Sequence, residues 1–162
     1  MPVTPFHFGP GAALKAVAPK HISFLSFATA NVLIDMEPIY YISTKQYPWH
    51  RFLHTYVGAS VISIATALLI ISCAAASKRL FPALFEKLFS SSMLAIIFGA
   101  ALGSYSHIVL DSFMHKDIRP LAPFSQDNGL LGVVSLSSLH WFCVCAGVFG
   151  VVLLGVRYVR EP

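Results

Sequence analysis

Charge is what this sequence has least of. Only 11% of its 162 residues are Asp, Glu, Lys or Arg, where a soluble domain carries about a quarter. Hydrophobic residues make up 56%, and the mean hydropathy is +0.71. That deficit excludes an ordinary soluble domain and leaves an integral membrane protein, of a length for one domain over residues 1–162. The net charge of +4 comes from cations scattered through loops. No basic run is dense enough for nucleic acid, so the charge reads as topology and contact with lipid headgroups. Cysteine is scarce as well. Cys73, Cys143 and Cys145 all fall in apolar runs and are odd in number, so free, buried and inert thiols are expected. The start, MPVTPFHFGPG, lacks a basic segment followed by a cleavable apolar core, and no secretory signal is expected. There is no Gly-x-Ser-x-Gly elbow, phosphate loop, dinucleotide fingerprint or Cys-x-x-Cys pair. A serine hydrolase is thereby disfavoured.

Long apolar runs are present. Three stretches reach the ~20 residues that a bilayer core requires: 56–77, 90–110 and 129–156, the last longer than one span needs. A fourth, 21–42, is apolar except for Asp35 and Glu37, and Pro38 is expected to end or kink its helix. Residues 9–18 would give only about 15 Å of helix, too short to cross. We therefore expect an all-α polytopic bundle of about four spans preceded by a short half-helix. Residues 8–18 and 21–37 would form a helical hairpin, broken at Pro19-Lys20, that brings His7 towards Asp35.

Ionisable groups inside apolar spans are costly and point to function. The run SYSHIVLDSFMHKD places His107, Asp111 and His115 at i, i+4 and i+8, one stripe on a helix, with Asp117 just beyond. Nitrogen and carboxylate donors one turn apart suit a divalent ion, and the Asp can bridge two. The competing reading is a core histidine bonded to a capping aspartate. His50 and His54 in WHRFLHT share a face if helical, His54 sitting deeper; His50 could equally be interfacial beside Trp49. Arg51, between them, could hold phosphate or be an ordinary interfacial arginine. Asp35, with Asn31 one turn earlier, would be relieved by a metal or by a loop cation, whereas Glu37 points elsewhere by helical phase and reads as a support behind a ligand or as an interfacial residue. His140 and His21 read as a packed span residue and an interfacial one.

Counting spans explains why these groups matter together. Asp35 ends the first full span, His50 and His54 open the second, and His107, Asp111 and His115 end the third. Up-and-down connectivity puts all three places on one side. That side carries Lys45, Arg51, Lys116 and Arg119; the opposite side carries seven cations, Lys15, Lys20, Lys78, Arg79, Lys87, Arg157 and Arg160. The positive-inside rule then puts the site on the extracytoplasmic face.

At these residues the chain resembles the YdjM-type family of predicted membrane-bound metal-dependent hydrolases. The likeness rests on Thr4-Pro5-Phe6-His7, on Asn31 to Asp35, on the His-Arg-x-x-His-Thr block from His50 to Thr55, and on His107-x-x-x-Asp111. That family is similar at a distance to zinc-dependent phospholipase C and the S1/P1 nucleases, helical enzymes that hydrolyse phosphoesters with clustered zinc. The resemblance implies metal ligation by His7, Asp35, His54, His107 and Asp111, with Asp111 bridging. The further His-x-x-x-Glu of the soluble enzymes is missing, since Val144 follows His140 at that spacing. One or two zinc ions, or manganese, are expected, with His50 and His115 as additional ligands. Metal-bound water would be the nucleophile, Asp35 and Asp111 the catalytic carboxylates, and Arg51, Lys116 and Arg119 the binders of an anionic lipid headgroup. Membrane lipid, as a phospholipid or other lipid-linked ester, is the expected substrate, and a bacterial inner membrane the expected location. A metal or proton transporter, a haem protein and a regulatory protein with a vestigial site are the rival readings. A transport pathway would need polar groups through the full depth, and here they gather at one end.

Overall fold

The computed structural model describes residues 4–83 and 91–160; Lys87, counted above for topology, lies outside them. After a tight helical turn at Thr4–His7, five helices account for the regular structure of the described residues. They are α1 (Phe8–Val17), α2 (Phe24–Ser43), α3 (Tyr56–Leu80), α4 (Met93–Ser112) and α5 (Leu136–Arg160). The expected all-α architecture is what forms. Of the five, α3, α4 and α5 are long and apolar enough to cross a membrane. α2 is as long as α4 but carries Asp35 and Glu37 and is not among these three.

Each long helix begins where a hydroxyl can take an unpaired N–H of the first turn. Ser23 accepts from Ser26, Thr55 from Gly58 and Ser92 from Ala95. α2 does not stop at Pro38, as the sequence suggests, but continues to Ser43. Proline removes a single N–H from the ladder, and the next turn closes regardless, Thr44 N donating to Tyr40 O at 3.0 Å.

Small residues decide which helices meet. Gly99 and Gly103, one turn apart on α4, lie against the backbone of Ser23 and Phe27 of α2, where a Cβ would collide. Such small-x-x-x-small faces let membrane helices approach closely. Ser23 N–H donates to Ala95 O at 2.9 Å, so α2 and α4 start at the same end and run parallel. Likewise Gly9 of α1 sits on Cys143, and Gly150 of α5 on Ala12 and Ala13. α1 turns back into α2 as expected, and it packs on the bundle chiefly along α5 and less along α2. α3 closes the bundle through Ala30, Ile34, Ala59, Ile62 and Ile108.

Burial is inverted relative to a soluble protein. Val61, Ile64 and Leu68 of α3, and Trp141, Val148 and Val151 of α5, are exposed, while histidine, asparagine and aspartate fill one end of the interior. Cys143 is buried, but Cys73 and Cys145 lie on outward faces, contrary to expectation; all three thiols are free.

Candidate metal centre

The chain path brings five separated polar groups to one end of the bundle. His107 and Asp111 come from the last two turns of α4, Asp35 from α2, His54 from the loop entering α3, and His7 from the turn before α1. His7, His54 and His107 are at most 2% exposed and Asp111 4%. His107 Nε2 lies 3.2 Å from Asp35 Oδ1 and 3.3 Å from Asp111 Oδ2; His54 Nε2 lies 4.0 and 3.9 Å from the same two oxygens. Donors at ~2.1 Å from one tetrahedral ion stand about 3.4 Å apart. Asp35, His54, His107 and Asp111 thus form a group that could hold a metal ion.

The proton positions support that use. Asn31 Nδ2 donates to Phe27 O at 2.8 Å, which turns its Oδ1 towards His107 Nδ1, 3.0 Å away. His107 Nδ1 then donates to Asn31 Oδ1, and its Nε2 faces the carboxylates of Asp35 and Asp111. Glu37 Oε2 accepts from His54 Nδ1 at 3.0 Å, leaving Nε2 of that ring likewise aimed inward. Outer hydrogen bonds of this kind set the tautomer of metal-binding histidines. Burial pushes the His54 pKa down, with the nearby imidazoles adding to it, and outweighs the hydrogen bond to Glu37. The neutral ring that results is the form that ligates. Buried polar groups are normally paired. Yet His54 Nε2, His107 Nε2, His7 Nε2 and Asp111 Oδ1 are buried and make no hydrogen bond among the described residues.

His7 stands somewhat apart. Its Nδ1 is 2.9 Å from His107 Nδ1 and its Nε2 3.1 Å from Asp111 Oδ1, the oxygen turned away from the four-donor group.

Beside this cluster lies a second. His50 is 4% exposed, and its Nδ1 is 2.9 Å from Asp117 Oδ1. Its ring is 4.3 Å from that of His115 and 4.6 Å from that of His54. His50 is therefore not an interfacial residue. Nor do His50 and His54 share a helix face, since α3 begins only at Tyr56. Two carboxylates shape their loop instead. Glu37 accepts the backbone N–H groups of Arg51 and Leu53, and Asp117 those of Trp49 and His50. Burial alone would raise the Asp117 pKa, but the bonds from His50 and Trp49 hold it below the usual range. α4 ends at Ser112, yet His115 N–H still donates to Asp111 O at 2.9 Å, which keeps His115 in line with the stripe. Burial holds the His115 pKa down.

Next to the outer cluster opens a cleft of about 590 Å³ lined by Tyr47, Arg51, Phe52, Asp117, Arg119 and Pro123 among others. Arg51 stacks on Tyr41, 3.7 Å from the ring centroid. Lys116 is exposed and does not line the cleft, unlike the other two expected cations. His140 is packed, stacking on Phe6 at 4.7 Å, and His21 is exposed at the bend. Sequence reasoning gave no role to Asp117; Glu37, expected to point away from Asp35, does so and supports the His54 ring from behind. Both act on an irregular loop, where helical phase carries no signal. No protein-family model matches the chain, and no curated protein or solved structure is detectably similar to it.

Proposed function

We propose that this chain is a membrane-embedded metal-dependent hydrolase acting on a phospholipid or another lipid-linked ester. The observation that carries the reading is the convergence of Asp35, His54, His107 and Asp111 with the Nε2 atoms of both histidines buried and without a hydrogen bond. A cleft flanked by Arg51 and Arg119 opens beside His50, whose ring is 4.6 Å from that of His54, and it suits an amphiphile with an anionic head. The YdjM-type resemblance agrees with both features.

In this reading α2 is the fourth span, α1 is the half-helix, and the cluster lies near the extracytoplasmic surface, where the basic residues are fewer. Asp35, His54, His107 and Asp111 hold a divalent ion, zinc or manganese, and His7 steadies Asp111 through Oδ1. When bound, the ion lowers the pKa of a coordinated water to about 7. The chain contributes the rest. Glu37 and Asn31 hold the two rings with Nε2 inward. Asp35, the least buried of the four, receives a proton from the attacking water. Arg51 and Arg119 draw the anionic group into the cleft.

The test is metal analysis of the purified protein and of His107→Ala, with hydrolysis of phospholipid in mixed micelles as the second readout. Near-stoichiometric zinc or manganese that disappears in the variant, together with hydrolysis by the wild type alone, is expected. Wild-type protein that takes up neither metal would end the proposal.

A further inference from the structure

The outer cluster is not needed to hold the first ion, yet it is built in the same way. His50, His115 and Asp111 each offer a donor atom, and those atoms all lie within 4.8 Å of one another. His50 is buried at 4% exposure and its Nδ1 is committed to Asp117, so the donor it has left is Nε2. An aspartate bound to Nδ1 is the arrangement that fixes a metal-binding imidazole. A hydrogen-bonded core histidine would not need a second imidazole tilted against it with ring centroids 4.3 Å apart.

We infer that His50, His115 and Asp111 form a second divalent-cation site, with Asp111 shared between the two ions. This rests on the reading that the deep group takes an ion. Asp111 reaches both clusters, so the ions would be separated by the ~3.5–4 Å typical of carboxylate-bridged pairs. The outer site has three protein donors, which leaves coordination positions open for water or substrate. It also adjoins the cleft, since His50 and Asp117 belong to the cleft wall. The two ions then have different tasks. The deep one is enclosed by protein, while the outer one faces Arg51 and Arg119 and meets the anionic oxygen of the substrate. His115 lies past the end of α4 but is tied to its last turn through its N–H on Asp111 O at 2.9 Å.

The experiment is metal counting on the full chain in detergent, loaded with zinc and then dialysed against metal-free buffer. The wild type, His115→Ala, His115→Gln and His54→Ala are compared, and a folded state is verified by an unchanged elution profile. Two zinc ions per chain in the wild type, falling to one in both His115 variants, is the expected result. Loading with manganese should give an exchange-coupled resonance signal in the wild type and an isolated-ion signal in the His115 variants. One zinc in the wild type, unchanged in the His115 variants but lost in His54→Ala, would overturn the second site and leave the deep one standing. No zinc in any form would overturn both.

Discussion

Glu37 and Asp117 do the same work at two depths. Each accepts two backbone N–H groups of the loop between α2 and α3, and each takes the Nδ1 of one histidine at 2.9 to 3.0 Å. What lies beyond each ring differs. His54 looks into an interior where His107 is fully buried and every donor comes from a helix or from the pinned loop. His50 looks towards His115, which is half-buried and follows the end of α4. A clamp backed by rigid helices fixes a donor set in advance. The same clamp backed by coil leaves one partner adjustable. The deep site should therefore bind its ion tightly and exchange it slowly, and the outer site should bind more weakly and stay accessible.

The change that removes the comparison altogether is Asp111→Ala. Asp111 Oδ2 belongs to the deep group, and the residue is also the carboxylate of the outer one. The expected outcome is loss of all stoichiometric metal and of hydrolysis, by elemental analysis and by micelle assay. His7→Ala sharpens the point, because the polar contacts of the His7 ring among the described residues are Asp111 Oδ1 and His107 Nδ1. It should weaken metal binding and retain measurable occupancy at saturating zinc. Occupancy as completely lost as in Asp111→Ala would make His7 a ligand.

Next in size is Glu37→Gln. The amide keeps the shape but weakens acceptance from His54 Nδ1 and from Arg51 and Leu53. Loss of such an outer partner costs about 10- to 100-fold in metal affinity. Titration with a competing chelator checks it, and an unchanged affinity would mean that the ring is held by packing alone.

How much of this was legible in the sequence depends on where each residue lies. His107 and Asp111 sit on a regular helix, so their spacing carried their geometry. Asp35 joined them through the parity of the helices, which depends only on how many there are. The histidine loop was a different matter. His50 and His54 resemble a helical pair in spacing, but the backbone there is coil bent around Glu37 and Asp117, residues 13 and 67 positions from His50. No local pattern reports a contact over that separation. Two other local readings were incomplete for the same reason. Pro38 reads as a stop locally, yet the tertiary setting carries α2 past it. α1 and α2 read as a hairpin because they are neighbours in sequence, yet Gly9, Gly147 and Gly150 make a closer fit between α1 and α5.

Asp117→Asn separates the two depths with the smallest expected change in metal binding. An asparagine Oδ1 still accepts from the backbone N–H groups of Trp49 and His50, so the loop should keep its path. What is lost is the carboxylate oxygen that takes the His50 Nδ1 proton, because the amide NH2 stands there instead and cannot accept, so the ring loses both the charge and the bond behind it. A reduction of about tenfold in affinity is expected, confined to the second equivalent of zinc. The first equivalent should bind as in the wild type, because His54 answers to Glu37 instead. Isothermal titration resolves the two steps. If both weakened equally, the clusters would be one cooperative unit, and the distinction between a deep, fixed ion and an outer, exchangeable one would have to be abandoned.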